Sequence, residues 1–422
     1  MSNNKSLRVL SLFSGCGGMD LGFEGDFTVL SASYNKNLHP NWKVKKSTNG
    51  NWIKLAKTSF QTVFANDIRT DAKTAWCSYF SKRGRNPSIY HVESIVDLVK
   101  EAKNGKNVFP KNIDIVTGGF PCQDFSVAGK RKGFSSDKSH NGCKIVDHSV
   151  ASIESRGSLY IWMKEVISIV QPNIFVAENV KGLTNLANAK KIIEEDFKTA
   201  CDNGYLVVNA RVLHAADYGV PQSRERVIFL GFKKSALTPE AIAALSSENV
   251  PELYDPYPIV THAYHQHYSE LMPVVTTQDA FIDLNEPDDT DDYDQKIFSK
   301  AKYMGNHCQG QNEVNLAGVG PTIRSEHHGN IEFRRLSKEH GGKHDQELSR
   351  GLQERRLSVR ECARIQTFPD DYKFILDSEN SFGKVSSSQA YQLIGNAVPP
   401  YLAYNLAKRI EENWNLYFKD KK

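Results

Sequence analysis

Short apolar segments alternate with segments of helical spacing through the first 232 residues of the chain. The apolar segments are RVLSLF (8–13), TVFAND (62–67), IDIVTG (113–118), NIFVAEN (173–179), YLVVNARVL (205–213) and RVIFLGF (226–232). Between them, SLYIWMKEVISIV (158–170) and NAKKIIEEDFKTACDNG (188–204) place apolar residues at the spacing of one helix face. Strands that are apolar on both faces are typical of parallel sheets covered by helices on each side. The pattern therefore predicts an α/β fold built on a doubly wound, mostly parallel sheet.

The alternation ends after Phe232, and the next segment predicts a second, smaller domain of mixed, loop-rich structure. We assign residues 233–355 to it, including the acidic run DLNEPDDTDDYD (283–294), which is most simply a solvated loop. Patterns of regular secondary structure resume from residue 356, with a helix predicted from about Ser387 to Tyr417 and interrupted at NAVPPY. Its apolar positions are Leu402, Leu406, Ile410 and Trp414. That face should pack back on the sheet, so residues 1–232 and 356–422 are predicted to form one domain.

Composition sets wide limits on function. The chain has 422 residues, of which 40% are hydrophobic and 24% charged, and its net charge is +4. These values are ordinary for a globular protein, no apolar stretch is long enough to span a membrane, and we expect no signal peptide. The seven cysteines are scattered without a CxxC pair, which favours reduced thiols in a cytoplasm over disulfides or a thiolate zinc site. The mild positive charge permits a polyanionic partner without requiring one.

A glycine-rich turn follows the first predicted strand, in LSLFSGCGGMDLGFE (10–24). The turn lacks the GxGxxG fingerprint and any basic residue that would hold a pyrophosphate. The next strand ends at Asp67, where folds of this class usually bind a ribose diol. A nucleoside site without a phosphate cradle favours S-adenosylmethionine over NAD or ATP. Residues 31–59 lengthen the usual gap to that acid, and we treat them as an insertion: either a solvated loop or a flap whose six lysines contact a phosphate backbone.

The segment GGFPCQDFSVAG (118–129) presents Cys122 directly after the strand IDIVTG. Only a thiolate is a good nucleophile, so we expect a cationic group nearby. Arg224 and Arg226 are spaced to point the same way on one strand, and Glu178 with Asn179 ends another. Each alone has a structural explanation, core packing for the cysteine and a helix cap for the Glu-Asn pair. Together they suit methylation of cytosine, because thiolate addition at C6 with an acid at N3 makes C5 electron-rich enough to accept a methyl group from a sulfonium.

Six motifs resemble those of the bacterial-type DNA (cytosine-5)-methyltransferases, in that family's order. FSGCGGMDLGFE resembles the cofactor-binding first motif, GGFPCQDFSVAGKRKGF the catalytic Pro-Cys motif, and AENVKGL the Glu-Asn-Val motif. DYGVPQSRERVIFLGF is similar to the Gln-Arg-Arg strand motif, and RRLSVRECARIQTFPDDY and YQLIGNAVPP are similar to the last two. The resemblance covers most of the chain outside 31–59 and 233–350. It implies the Rossmann-like fold of class I S-adenosylmethionine-dependent methyltransferases, with a target-recognition domain at 233–355.

The resemblance also implies a role for each catalytic residue. Cys122 would be the nucleophile, and Glu178 would act at cytosine N3. Asn179 would hold the loop that bears the Pro-Cys pair. Arg226 would contact the cytosine carbonyl and the carboxylate, with Arg224 beside it. The implied catalytic set is Pro121, Cys122, Gln123, Glu178, Asn179, Arg224 and Arg226.

A cofactor-binding set follows in the same way. It consists of Phe13, Ser14, Gly15, Cys16, Gly17, Gly18, Asp67, Ile68, Ser94, Ile95, Leu159, Asn396, Ala397 and Val398. Asp67 would bind the ribose and Ile68 would lie against the adenine. Where the family usually has an Asp-Ile pair against the adenine, this chain has Ser94-Ile95, and Glu93 could take the place of the aspartate.

DNA contacts are implied on two segments. The loop after Cys122 closes over flipped-out DNA in this family, and here it is extended by residues 135–150. The segment GVGPTIRSEHHGNIEFRR (318–335) resembles the family's recognition loop, and its arginines could read guanine edges or neutralise phosphates. The implied DNA-binding set is Ser126, Lys130, Arg131, Lys132, Thr322, Ile323, Arg324, Arg334 and Arg335.

No metal site is predicted. The segment HAYHQH (262–267), with Cys308 as a distant further ligand, invites a metal interpretation, but no second close-spaced ligand pair accompanies it. The acidic run lacks the glycine of an EF-hand loop. Because DNA would repel that run, we predict that it lies away from the duplex.

The sequence thus predicts a DNA cytosine-5-methyltransferase that flips its target base out of the duplex and serves a bacterial restriction–modification system. It would act as a cytoplasmic monomer on duplex DNA, with no membrane partner, and a cognate restriction endonuclease would be a separate protein. Three alternatives stay open: a tRNA or other RNA cytosine-5 methyltransferase, a catalytically silent DNA- or cofactor-binding module, and a dinucleotide-dependent oxidoreductase. The large 233–350 segment disfavours the first, the intact catalytic residues the second, and the incomplete glycine fingerprint the third.

Overall fold

The computed structural model describes residues 6–46, 50–121, 159–185, 188–266, 268–305, 307–325 and 331–419. In chain order the strands are β1 (Leu7–Leu12), β2 (Thr28–Leu30), β3 (Val44–Lys46), β4 (Trp52–Leu55), β5 (Phe60–Asn66), β6 (Tyr90–His91), β7 (Ile115–Gly119), β8 (Ile174–Val180), β9 (Tyr205–His214), β10 (Glu225–Lys233), β11 (Phe333–Arg335) and β12 (Arg355–Arg356). The helices are α1 (Gly18–Glu24), α2 (Thr70–Phe80), α3 (Ile95–Lys103), α4 (Leu159–Val170), α5 (Ala189–Lys198), α6 (Pro239–Leu245), α7 (Thr277–Ala280), α8 (Tyr293–Lys296), α9 (Asp345–Ser349), α10 (Val359–Ile365), α11 (Ser387–Asn396), α12 (Pro400–Glu412) and α13 (Trp414–Tyr417).

Seven strands form the central sheet, in the order β6-β5-β1-β7-β8-β10-β9. The first five of these are mutually parallel, and β10 runs antiparallel between β8 and β9. Successive residues of a strand point to opposite faces, so Val9 packs into the core beneath α1, α2 and α12 while Leu10 packs into the core beneath α3, α4 and α5. The predicted doubly wound, mostly parallel α/β fold is confirmed, and all six predicted strands are present.

The predicted C-terminal helix is divided into α11, α12 and α13, and the first break falls at Pro399 and Pro400. As expected, α12 packs back on the core beneath the sheet, where it lies along α1. The contact requires Gly22, because a Cβ atom at that position would lie 2.4 Å from the Cβ of Ala403. None of the helices in the described ranges combines the length and the apolar composition needed to cross a bilayer.

The insertion at 31–59 is folded against the rest of the protein. Its strands β3 and β4, with the preceding β2, form a separate antiparallel sheet in the order β2-β4-β3. Trp42 is buried, stacks on His39 at 3.9 Å between ring centroids, and donates from its indole nitrogen to Glu412 at 2.8 Å. Trp52 donates to Asp283 at 2.8 Å. The interpretation as a plain solvated loop is therefore wrong, whereas contact between the lysines and phosphate stays a prediction.

The segment after β10 begins against the sheet and only then forms other structure. Leu237 and Leu245 are buried in the core beneath the sheet, and the hydroxyl of Tyr257 donates to the carbonyl of Ile228 on β10 at 2.9 Å. Residues 258–355 contain α7, α8, β11 and α9 joined by long loops, as the mixed pattern predicted. The core itself sets no boundary, since Val275 and Ile323 share it with Leu237, and we propose that the second domain begins after the contact of Tyr257 with β10 rather than at 233.

The acidic run 283–294 is bound to arginines of the segment RRLSVRECARIQTFPDDY. Arg360, which is fully buried, contacts Asp292 at 2.6 Å and Asp294 at 3.1 Å. Arg364 contacts Asp283 at 2.8 Å. The prediction of a solvated loop is wrong for Asp292 and Asp294, because a buried guanidinium group needs carboxylate partners, whereas Asp288, Asp289 and Asp291 are exposed as predicted.

Candidate active site

The carboxyl ends of parallel strands meet at one edge of the sheet. Leu12 on β1 pairs with Asn66 on β5 and with Gly118 on β7, and Gly119 pairs with Glu178 on β8. The segments that follow these positions carry most of the predicted cofactor-binding and catalytic residues. Open α/β sheets bind their ligands at this edge. The topology therefore brings the two predicted sets together.

The glycine turn is held in a strained conformation by two buried tyrosines. Phe13 adopts a φ of 53°, in the left-handed region, which costs a non-glycine residue about 1 kcal/mol or more. The hydroxyl of Tyr90 donates to the carbonyl of Gly15 at 2.8 Å, and that of Tyr372 donates to the carbonyl of Cys16 at 2.7 Å. Such strain persists where surrounding contacts fix the backbone, as these two do.

Asp67 follows β5 and accepts hydrogen bonds from the amides of Gly15 and Arg69, each at 3.0 Å. Burial raises the pKa of its carboxyl group, and the two amides oppose that rise. The side chain of Ile68 is 47% exposed, although it is large and apolar. The amides use only part of the carboxylate's acceptor capacity, so Asp67 could also accept from a ribose diol. An acceptor beside an exposed apolar face suits a nucleoside.

A segment from the C-terminal motif covers the glycine turn. A Cβ atom on Gly18 would lie 2.4 Å from the carbonyl oxygen of Val398, so only glycine permits this approach. Asn396 is exposed, and Gln366 donates to the carbonyl of Ala397 at 2.5 Å. The sequence motifs alone assigned no role to Gln366. Gln366 lies in RRLSVRECARIQTFPDDY, one of the six motifs, so a polar residue inside a motif was the sequence signal that could have identified it.

The Ser94-Ile95 pair starts α3. The hydroxyl of Ser94 accepts from the amide of Val96 and so caps the helix, and Ile95 is buried. The side-chain amide of Asn66 donates to the carbonyl of Glu93 at 2.9 Å, which ties this segment to the end of β5. Leu159 is buried at the start of α4. Contact of these residues with the cofactor stays a prediction.

Glu178 and Arg226 form a buried ion pair at the end of β8. Nε of Arg226 lies 2.6 Å from Oε1 of Glu178, and the two side chains are 11% and 9% exposed. Burial raises the pKa of Glu178, opposed by Arg226 and then by Arg224. A Cβ atom on Gly119 would lie 2.7 Å from Oε2 of Glu178, so this glycine leaves room for the carboxylate. The site therefore holds a carboxyl group whose pKa is raised above its ordinary value by burial.

Asn179 fixes the segment that leads to the nucleophile. Its side-chain amide donates to the carbonyl of Phe120 at 3.1 Å, immediately before Pro121. The predicted role of Asn179 in holding this loop agrees with that contact. The other predicted residues of the loop lie outside the described residues: Cys122, Gln123, Ser126, Lys130, Arg131 and Lys132.

Arg224 differs from its prediction as a catalytic group. It is 1% exposed and donates to the carbonyls of Ile323 at 3.0 Å, Gly395 at 2.7 Å and Ala397 at 2.9 Å. Arg224 precedes β10, so the strand alternation that would align it with Arg226 does not apply. Its contacts join the segment at Ile323 to the segment that covers the glycine turn, and we propose a positioning role for it in place of the predicted catalytic one.

The recognition segment is anchored at its first residues. The hydroxyl of Thr322 donates to the carbonyl of Ser223, and Ile323 is fully buried. Arg324 contacts Glu332 at 2.8 Å and keeps 26% of its side chain exposed. Of the predicted DNA contacts in the described part of this segment, Thr322 and Arg324 are partly exposed, and Arg324 is the one that carries a charge toward a duplex.

Arg334 and Arg335 are unsuited to reading bases. They are 8% and 1% exposed. Arg334 contacts Glu347 at 2.6 Å, and Arg335 contacts Glu347 at 2.5 Å and Glu286 at 3.2 Å. Guanidinium groups that are themselves buried and held by partly buried carboxylates cannot also reach a guanine edge, so we propose that these two residues do not contact DNA.

S-adenosylmethionine fits the residues at the turn. Asp67 offers an acceptor for a ribose and Ile68 an apolar face for a base. A Cβ atom built on Gly15 meets nothing within 4 Å, so open space adjoins the turn. The turn carries no cation for a pyrophosphate.

Comparison with known proteins agrees with this geometry. The family model for C-5 cytosine-specific DNA methylases matches residues 46–412. The chain is 35% identical over 421 residues to the type II methyltransferase M.BspRI of Lysinibacillus sphaericus, covering 98% of this chain and 83% of that protein. It is 31% identical over 428 residues to the type II methyltransferase M.BsuRI of Bacillus subtilis, covering 98% of this chain and 80% of that one.

The fold is also found among solved structures. The Dnmt2 methyltransferase of S. pombe superposes with a TM-score of 0.55 at 18% identity, covering 97% of this chain and 99% of that chain. At this level of identity the likeness concerns the fold.

Proposed function

Because the chain belongs to the C-5 cytosine-specific DNA methylase family, we propose that it methylates one cytosine within a specific sequence of duplex DNA, with Cys122 as the nucleophile. It is a DNA cytosine-5-methyltransferase, and S-adenosylmethionine is its methyl donor. The observation that carries the residue assignments is the buried contact of 2.6 Å between Glu178 and Arg226. It lies on the strand adjacent to the one that leads to Cys122.

The proposed chemistry uses these side chains in sequence. The Cys122 thiolate forms a bond to C6 of the cytosine while Glu178 donates its proton to N3, which leaves an enamine with electron density at C5. Arg226 holds the carboxyl group and the carbonyl of the base. The bound sulfonium supplies the methyl group that C5 attacks. Loss of the C5 proton to a base then restores the C5–C6 double bond and expels the thiolate, while N3 returns its proton to the Glu178 carboxylate.

Residues 258–355 are proposed to recognise the target sequence, and the target base is proposed to leave the duplex to reach the sheet edge. Both relatives described above are named type II methyltransferases, which supports a sequence-specific DNA substrate over RNA. We further propose a cytoplasmic monomer that modifies the sites of a separate restriction endonuclease.

The test is covalent trapping. Sequencing of DNA from cells that express the chain first identifies the methylated site. A duplex with 5-fluorocytosine at that site should then form an adduct that survives denaturation, because the C5–F bond blocks the final elimination. Cys122→Ser should form none, and the control Cys201→Ser should form as much as the unaltered chain. Absence of genomic methylation, or an adduct with Cys122→Ser, would overturn the proposal.

A further inference from the structure

Three potential metal ligands converge where the end of β9 meets the segment after Tyr257. They are His214 at the end of β9, Asp217 in the short helical turn that follows it, and His265. One ligand atom from each residue lies within 4.8 Å of those from the other two. In the described part of the chain, no other group of three or more histidine, cysteine or carboxylate side chains has this spacing.

Two of the donors already have the separation that a shared ion needs. Nδ1 of His265 lies 2.9 Å from Oδ2 of Asp217. With bonds of about 2.0–2.1 Å, adjacent ligands on one ion are about 3.0–3.4 Å apart. The side chain of His265 is 54% exposed, so its ring has room to turn toward the third donor and a water molecule can complete the coordination.

The third donor, His214, is buried, and one of its ring nitrogens has no hydrogen-bond partner. His214 is 7% exposed, and its ring stacks on Tyr264 at 4.4 Å between centroids. Its Nε2 contacts the hydroxyl of Ser223 at 3.2 Å, but its Nδ1 is buried without a hydrogen-bond partner. A buried polar atom without a partner costs about 1–3 kcal/mol, so an ion bound at this nitrogen would remove a penalty.

The carboxylate of Asp217 also makes its side-chain contacts within this cluster. Asp217 is 8% exposed, and the side-chain contacts of its two oxygens are to the backbone amide and the ring of His265. Two imidazoles and one carboxylate are a common donor set for Zn²⁺ and other divalent transition metals.

This set differs from the one that HAYHQH suggested by itself. His262 is fully buried, and its two ring nitrogens contact Thr261 and the carbonyl of Ala32. His265 alone among the described histidines of that segment joins the cluster, and the other two ligands come from β9 and the turn after it. Sequence spacing could not reveal them, because they lie about 50 residues away along the chain.

We propose that His214, Asp217 and His265 bind one divalent transition-metal ion, with Zn²⁺ the best match to the donors. The ion would link the segment after Tyr257 to the end of β9, next to Ser223 and the positioning residue Arg224. It takes no part in methyl transfer, so this proposal stands or falls independently of the proposed function.

The probe is Co²⁺, followed by Zn²⁺ competition, on the full chain. Titration should show one Co²⁺ per chain with visible ligand-field absorption and without a thiolate charge-transfer band, and Zn²⁺ should displace it. His265→Gln, an exposed position, should fold normally and weaken binding at least about tenfold. The control His340→Gln removes a comparable histidine–carboxylate contact, at 2.6 Å to Glu354, and should bind as the unaltered chain does.

Stability provides a second readout. Zn²⁺ should raise the melting temperature of the unaltered chain and of His340→Gln, EDTA should reverse the rise, and His265→Gln should not respond. Lack of Co²⁺ binding, a thiolate charge-transfer band, or equal affinity in His265→Gln would each overturn the proposal.

Discussion

The side-chain amide of Asn179 donates to the carbonyl of Phe120 across a distance of 3.1 Å. This contact joins the end of β8 to the end of β7, two residues before Cys122. The same strand end carries Glu178, so the acid and the start of the nucleophile's loop are held by consecutive residues. Their relative placement is therefore set by this side-chain hydrogen bond together with the pairing of Gly119 with Glu178 in the sheet.

Asn179→Ala should lower kcat about tenfold, because loss of about 1.4 kcal/mol of positioning raises the barrier by that amount. Affinity for S-adenosylmethionine should not change, since the contact lies outside the glycine turn. Asn209→Ala is the control, because Asn209 also lies on a strand but contacts the exposed Lys190. Equal kcat in the two variants would show that the contact does not position the loop.

Ionisation of Glu178 should produce the descending limb in a plot of kcat against pH. Since burial raises its pKa, the group stays protonated above the range of an ordinary glutamate, and kcat should fall as pH rises through that pKa. Glu178→Gln should lower kcat about 10²- to 10⁴-fold and remove the limb. Glu225→Gln, which removes a partly exposed ion pair with Lys181, should keep it. A limb that persists in Glu178→Gln belongs to another group.

Asp67→Asn should weaken binding of S-adenosylmethionine about 10- to 100-fold, because the ribose no longer has a charged acceptor. DNA affinity should stay the same. Calorimetry with the cofactor and gel-shift titration with DNA measure the two quantities. Asp97→Asn, an exposed acid on α3, serves as the control. The reverse order of effects would exclude Asp67 from the nucleoside site.

Arg335→Ala should destabilise the protein by about 1–3 kcal/mol, because it removes a buried guanidinium group that is bonded to Glu286, Glu347 and the carbonyl of Gln353, although Arg355 and Arg334 still pair with the two carboxylates. Chemical denaturation measures this directly. Arg350→Ala, at an exposed position nearby, should change stability by less than about 0.5 kcal/mol. A stable Arg335→Ala protein with weakened sequence discrimination would restore the base-reading role that the structure disfavours.

The lysines of the insertion remain candidates for binding phosphate. All six are exposed, and Lys45 pairs directly with Lys54 across β3 and β4, although Lys54 also contacts Asp26 at 2.8 Å. Replacing both with glutamine should reduce the slope of log affinity against log salt by about 0.9 for each phosphate that the protein no longer neutralises. Lys191→Gln on α5 is the control. An unchanged slope would mean that this surface is only solvated.

The sequence by itself determined the strands, the glycine turn and the strand-end positions of Glu178, Asn179 and Asp67. Continuous apolar strands such as IDIVTG can be buried only in a covered sheet, and short motifs such as AENVKGL carry their chemistry in consecutive residues. These patterns lie in consecutive residues, so they can be recognised in the sequence without knowledge of the fold. Glu178, Asn179 and Asp67 accordingly lie at the strand ends where the motifs predicted them.

Only the tertiary structure decided which charged side chains are free to bind a ligand or DNA and which are used within the protein. Arg224, Arg334 and Arg335 appear equally suited to anions in the sequence, yet each is buried and bound to protein acceptors. The acidic run 283–294 appears solvated, yet it neutralises the buried Arg360. The physical reason is that a charge is buried only with a partner, and the partner is distant along the chain: Asp292 and Arg360 are 68 residues apart.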